Sequence, residues 1–132
     1  MTDDAILITP KQLEAVLRLD GPKRYRIFVK AVADTEEVWG LYSDGWALAA
    51  TDDGQTVFPM WPARPYASVN AVNSWSGYTP RSFSLTDLLE VLLPDFEKNK
   101  VRPGIFFIPD GKGVIPTVEE LRDDILEELD NY

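Results

Sequence analysis

Two periods divide this chain. From Thr9 to Ala33 the apolar residues recur at helical spacing. Leu13, Val16 and Leu17 share one side of a short helix reaching about Leu19. Thr9 is placed to cap it, with Pro10 at the first helical position and Gln12 completing a capping box. "DGP" at 20–22 breaks the pattern. Tyr25, Phe28, Val29 and Val32 then fall at i, i+3, i+4 and i+7, which predicts a second helix over Lys23 to Ala33. After it the period drops to two. "VWGLY", "WALAAT" and "TVFPMW" are short β-prone runs separated by "SDG" and "DDG". Asp-Gly between apolar runs is a hairpin signal, because glycine accepts positive φ freely. Residues 37–61 are therefore predicted to form a three-stranded antiparallel meander.

The three prolines of "TVFPMWPARPY" have separate local reasons. Pro59 donates nothing to a ladder, so it predicts an edge or a bulge. Pro62 ends the strand and Pro65 starts a helix running to about Asn73. The stretch also matches PxxP, but the every-third spacing of its prolines needs no peptide-binding groove to explain it. Further on, "RSFSL" is a short strand. Ser84 caps a helix bearing Leu85, Leu88, Leu89 and Leu92, with Pro94 as its stop. "PGIFFIP" is a fourth main strand, and "DGKG" at 110–113 turns it towards Val114–Ile115. Thr117 and Glu120 form a second capping box, and Val118, Leu121, Ile125 and Leu129 line the last helix. The expected fold is α+β: one antiparallel sheet of four to five strands, packed with N-terminal, middle and C-terminal helices. It forms a single domain, with a helical part at 8–34, the meander at 37–61 and a mixed part at 62–132.

Composition narrows the chemistry. At 132 residues with 45% hydrophobic positions, the chain buries one core. It holds no run of 18 apolar residues, and "MTDDAILITPK" lacks a basic leader, so a cytoplasmic setting is expected. Neither Cys nor His occurs. Ser-His-Asp and Cys-His triads are excluded, as are Cys/His zinc sites. Acid–base work would fall to carboxylates, Lys or Tyr, and no spacing singles out a pair. No catalytic residue, metal ligand or cofactor is predicted. The net charge is −9, and Pro116 to Tyr132 holds seven acids against Arg122 alone. Such a chain repels nucleic acid and anionic membranes.

Two features are candidates for binding. Between Val38 and Phe83 lie nine aromatics but only two cations, Arg64 and Arg81. Trp46, Trp61, Arg64, Tyr66, Trp75 and Tyr78 are the candidate patch, since most lie in loops or helix starts; core packing is the competing explanation. The acidic face of the last helix, with Glu120, Asp123, Asp124 and Glu127, is the second candidate, and a merely solvated face is its alternative.

The run "VWGLYSDGWALAATDDGQTVFPMWPARPYA", then Trp75, "GY" at 77–78, "FSLTDLLEVLLP", "FFIPDGKG" and "EELRDDILEEL", resembles the bacterial domain of unknown function 2750 family. The likeness covers the chain from about residue 9, and its most specific parts are the "DGW" turn and "FPxWPxxxYA". The resemblance implies a small bacterial α+β protein and brings no activity, catalytic residue or ligand. The layout is also similar to bacterial immunity and secretion-associated domains, an analogy of fold alone. The expected function is non-enzymatic protein binding, immunity-type or regulatory, towards a partner with a basic surface. The alternatives are a small-molecule-binding regulatory domain using an aromatic-lined groove, and a carboxylate-based hydrolase.

Overall fold

The computed structural model describes residues 8–111 and 113–131. The acidic N-terminal stretch, Lys112 of the 110–113 turn and Tyr132 lie outside them. The chain runs α1 (Pro10–Leu17), α2 (Gly21–Thr35), β1 (Glu37–Tyr42), β2 (Ala49–Ala50), β3 (Thr56–Met60) and α3 (Arg64–Ser68). It continues with β4 (Thr79–Ser84), α4 (Leu85–Asp87), a π-helical turn (Leu88–Leu92), α5 (Leu93–Asn99), β5 (Arg102–Ile105) and α6 (Val118–Asp130).

Both predicted capping boxes form. Thr9 and Gln12 cap α1, and Thr117 and Glu120 cap α6, each pair exchanging side-chain and backbone bonds. Asp20, in the predicted break, accepts from the Lys23 N–H and so opens α2. The α2 stripe enters the core through Phe28, Val29 and Val32. It belongs to one buried cluster with Val38 and Leu41 of β1, Val57 and Met60 of β3, and Leu121 and Ile125 of α6. Removing a side chain of this size from water contributes roughly 1.5–3 kcal/mol.

The α+β class holds, but the single antiparallel sheet does not. β1 pairs with β4 antiparallel, and a second sheet has the order β2-β3-β5. Its β2–β3 hairpin is antiparallel, whereas β3 and β5 are parallel. Residues 61–101 intervene between β3 and β5, long enough to carry the chain over and return it in the same direction. The meander is interrupted as well: β1 meets the following run only at the Tyr42–Trp46 bridge. The two sheets are joined where Trp39 and Trp61 exchange both backbone bonds, at 2.9 and 2.8 Å.

Alternation explains every strand proline. Phe106 N–H donates to Met60 O, so Phe58 and Met60 turn their backbone towards β5. Val57 and Trp61 turn the other way, to Ala49 of β2 and Trp39 of β1. Pro59 lies between these two pairings, where no ladder asks for a donor, so it occupies a local gap on a central strand rather than the expected edge. Pro103 turns its nitrogen away from β3, and Pro80 turns its own to the free edge of β4.

Pro94 does not stop its helix. Its ring would strike the carbonyl of Glu90 in a regular helix. The chain widens instead, and Leu93 N–H donates to Leu88 O, five residues back. The predicted helix to Asn73 ends early, at Ser68. Asn70 is buried and donates its side-chain amide to Tyr66 O (2.9 Å) and Phe107 O (3.1 Å), while Asn73 adopts φ 53. Asparagine tolerates that left-handed backbone better than most residues.

β5 ends in a sharp departure at Phe106, with φ 62. A left-handed conformation in a residue with a Cβ costs roughly 1–2 kcal/mol. The surrounding bonds impose it. Phe106 O accepts from buried Arg24 Nε at 3.0 Å, and Phe107 O accepts from Trp61 Nε1 at 2.9 Å. Arg24 also donates to Leu19 O. On the other side Gly113 is required, since a Cβ there would lie 1.8 Å from Ile105 O. Arg24→Met withdraws a donor from both Phe106 O and Leu19 O. At about 1–3 kcal/mol per stranded carbonyl, urea unfolding is expected to show a loss of roughly 2–6 kcal/mol. A loss under about 0.5 kcal/mol would mean these bonds do not hold the turn.

Candidate functional site

The predicted aromatic patch is not one surface. Trp61 is 0% exposed and Tyr66 is 6% exposed. Trp61 is buried because Phe107 O satisfies its indole N–H, and Tyr66 because α3 lays its ring 4.9 Å from that of Phe106. Trp75 is partly buried with its ring 6.2 Å from Trp61, and Tyr78 is likewise partly buried against the core. Trp46 belongs to a different cluster. Its ring lies against Tyr42 (5.2 Å), Phe83 (5.3 Å) and Phe58 (5.6 Å). It covers Gly40, where a Cβ would come within 2.9 Å of the indole.

Both cations of the region are exposed and stacked rather than paired with acid. Arg64 lies 4.9 Å from the centre of the Trp39 ring. Arg81 lies 4.2 Å from that of Tyr42. Each such contact is worth about 0.5–1 kcal/mol at an exposed site. Trp39 and Tyr42 are three positions apart on β1, so the two stacks stand on opposite faces of the β1–β4 ribbon. The six candidates are thus split between the core and two faces.

A cavity lies elsewhere, between α2 and α6. It measures about 630 Å3. Tyr25, Arg26, Val29 and Lys30 of α2 and Asp124, Glu127 and Glu128 of α6 line it, together with Pro22 and Val114. Tyr25 donates its hydroxyl to Asp124 Oδ2 at 2.5 Å, a crossbar between the helices. Burial, this bond and the charges of Asp124 and Glu120 push the Tyr25 phenol well above its ordinary pKa. It is held as a neutral donor.

The predicted acidic face is divided by the same contacts. Glu120 accepts from Thr117 N–H, which holds its carboxyl below the usual range. Asp124 is engaged by Tyr25. Glu127 borders the cavity, and Asp123 is exposed. Sequence reasoning passed over Arg26, Lys30 and Glu128, whose i, i+4 spacing on α2 and position on α6 were the available signal. Among the described residues, no three His, Cys, Asp or Glu side chains are grouped to hold a metal ion. No described helix is long and apolar enough to cross a membrane.

The family model described as "Protein of unknown function (DUF2750)" matches residues 25–125. The match begins at Tyr25 in α2 and runs into α6, past Asp124, leaving α1 outside. No curated protein and no solved structure matches the chain.

The crossbar has a pH signature. Folding raises the Tyr25 pKa, so its contribution is complete below the unfolded value of about 10 and is lost as pH rises through the higher folded value. Urea midpoints are expected to fall from about pH 10 upward, and to fall less steeply in Tyr25→Phe. Equal slopes would remove the phenol as the cause.

Proposed function

The chain belongs to the DUF2750 family, and from that premise we propose that it acts by binding rather than catalysis, docking a protein partner on the outward face of α6. One stripe carries this reading. Glu119, Asp123, Leu126 and Asp130 are all exposed and follow i, i+4, i+7 and i+11 along the helix. Among the described residues, the ion pairs are Glu14–Arg18 and Glu97–Arg122, so these three carboxylates have no cation within 4.0 Å. Leu126, 46% exposed, gives the stripe an apolar centre. An apolar spot rimmed by one sign of charge fits a basic protein surface, with the charge steering encounter.

The partner is therefore a protein with a basic patch, in an immunity-type or regulatory role. Nucleic acid and anionic membranes are disfavoured by the net charge of −9. The non-enzymatic part of the reading is supported by a chain without His or Cys, in which the Glu120, Asp53 and Asp124 carboxylates are engaged by a helix cap, a turn and a phenol.

Affinity capture followed by titration of the captured protein tests the stripe. Wild type is expected to retain a basic partner at low salt, with affinity falling at least about tenfold between roughly 50 and 300 mM salt. A triple variant, Glu119→Lys with Asp123→Lys and Asp130→Lys, is expected to lose it. A control reversing exposed Glu14, Asp34 and Glu90 is expected to keep most of the binding. Equal retention by the α6 variant would sink the assignment.

A further inference from the structure

The cavity between α2 and α6 carries charge of opposite sign on its two walls. Arg26 and Lys30 stand one turn apart on α2. Asp124, Glu127 and Glu128 stand on α6. Packed helices with complementary flanking charges ordinarily close them into interhelical pairs. Here neither Arg26 nor Lys30 lies within 4.0 Å of a described carboxylate of α6. The Tyr25 hydroxyl reaches across from α2 to Asp124 of α6. Between them is a space of about 630 Å3, inside the ~300–1,000 Å3 range of small-molecule sites.

A ligand with a single charge would meet one attracting wall and one repelling wall. A ligand with both charges satisfies the two together. We propose that this groove binds a small zwitterion of the amino-acid or short-peptide class. Its carboxylate lies against Arg26 and Lys30. The planar guanidinium of Arg26 suits a carboxylate because it offers two parallel N–H donors. Its ammonium or guanidinium group lies against Glu127 and Glu128, while Asp124, engaged by Tyr25, sets the position of the acidic wall. Pro22, Val29 and Val114 line the groove with apolar surface for an aliphatic stem. The site is separate from the outward stripe of α6 and does not depend on the protein-docking reading.

Calorimetric titration of the full chain tests it, with the dipeptide lysyl-glutamate as probe and acetate and butylamine as single-charge controls. The dipeptide is expected to bind with a dissociation constant below about 1 mM, and each control at least about tenfold more weakly. Arg26→Gln and Glu128→Gln are each expected to weaken the dipeptide at least about fivefold. Both alter side chains at the rim of the groove, and an unchanged Tm confirms that each variant is folded. No binding below about 10 mM, equal binding of the controls, or wild-type affinity in both folded variants would overturn the proposal.

Discussion

Two consecutive carbonyls, those of Phe106 and Phe107, hold this molecule together. The backbone between β5 and the 110–113 turn adopts a conformation unfavourable for phenylalanine. Three donors from distant parts of the chain pin it there. Arg24 comes from α2, Trp61 from the end of β3, and Asn70 from just beyond α3. In a buried setting such bonds are strong when made and costly when broken. Trp61 does two things at once. Its backbone joins the two sheets through Trp39, and its indole fixes the exit of β5. The buried side chains of the described residues leave no polar nitrogen or oxygen without a partner. The core is therefore apolar in composition but registered by a small polar knot.

The contrast between local and distant information follows from the same knot. Caps, helical stripes and Asp-Gly turns depend on residues a few positions apart, and Thr9, Gln12, Thr117 and Glu120 all act as their spacing predicts. The parallel β3–β5 pairing depends on residues more than forty positions apart, and nothing in "TVFPM" or "RPGI" announces the direction of its neighbour. β3 is buried along four of its five positions, which removes the alternation that would have shown a face. Pro94 misled for a related reason. A helix stop is the usual outcome of an internal proline, but a buried leucine face on both sides favours widening over ending.

The candidate site was harder to read than the fold. Aromatic density drew attention to Trp61 and Tyr66, yet a buried partner for the indole N–H turned the densest segment inward. The groove draws its walls from the two ends of the chain. Arg26 and Lys30 look like the solvated flank of α2 until α6 is laid beside them. Tyr25 was legible as an apolar position of the α2 stripe, but its hydroxyl has meaning only with Asp124 in place.

The bond from Arg24 to Phe106 spans 82 positions, and those from Trp61 and Asn70 to Phe107 span 46 and 37. A nascent chain emerging from the ribosome therefore presents α2, the β2–β3 hairpin and Trp61 long before their acceptors exist. Contacts this remote in sequence must await loop closure, which slows folding. The early segments remain a set of helices and hairpins with exposed aromatic surface until residue 107 is free to turn. The order of translation is thus written into the architecture: the last third of the chain is what makes the first two thirds a protein.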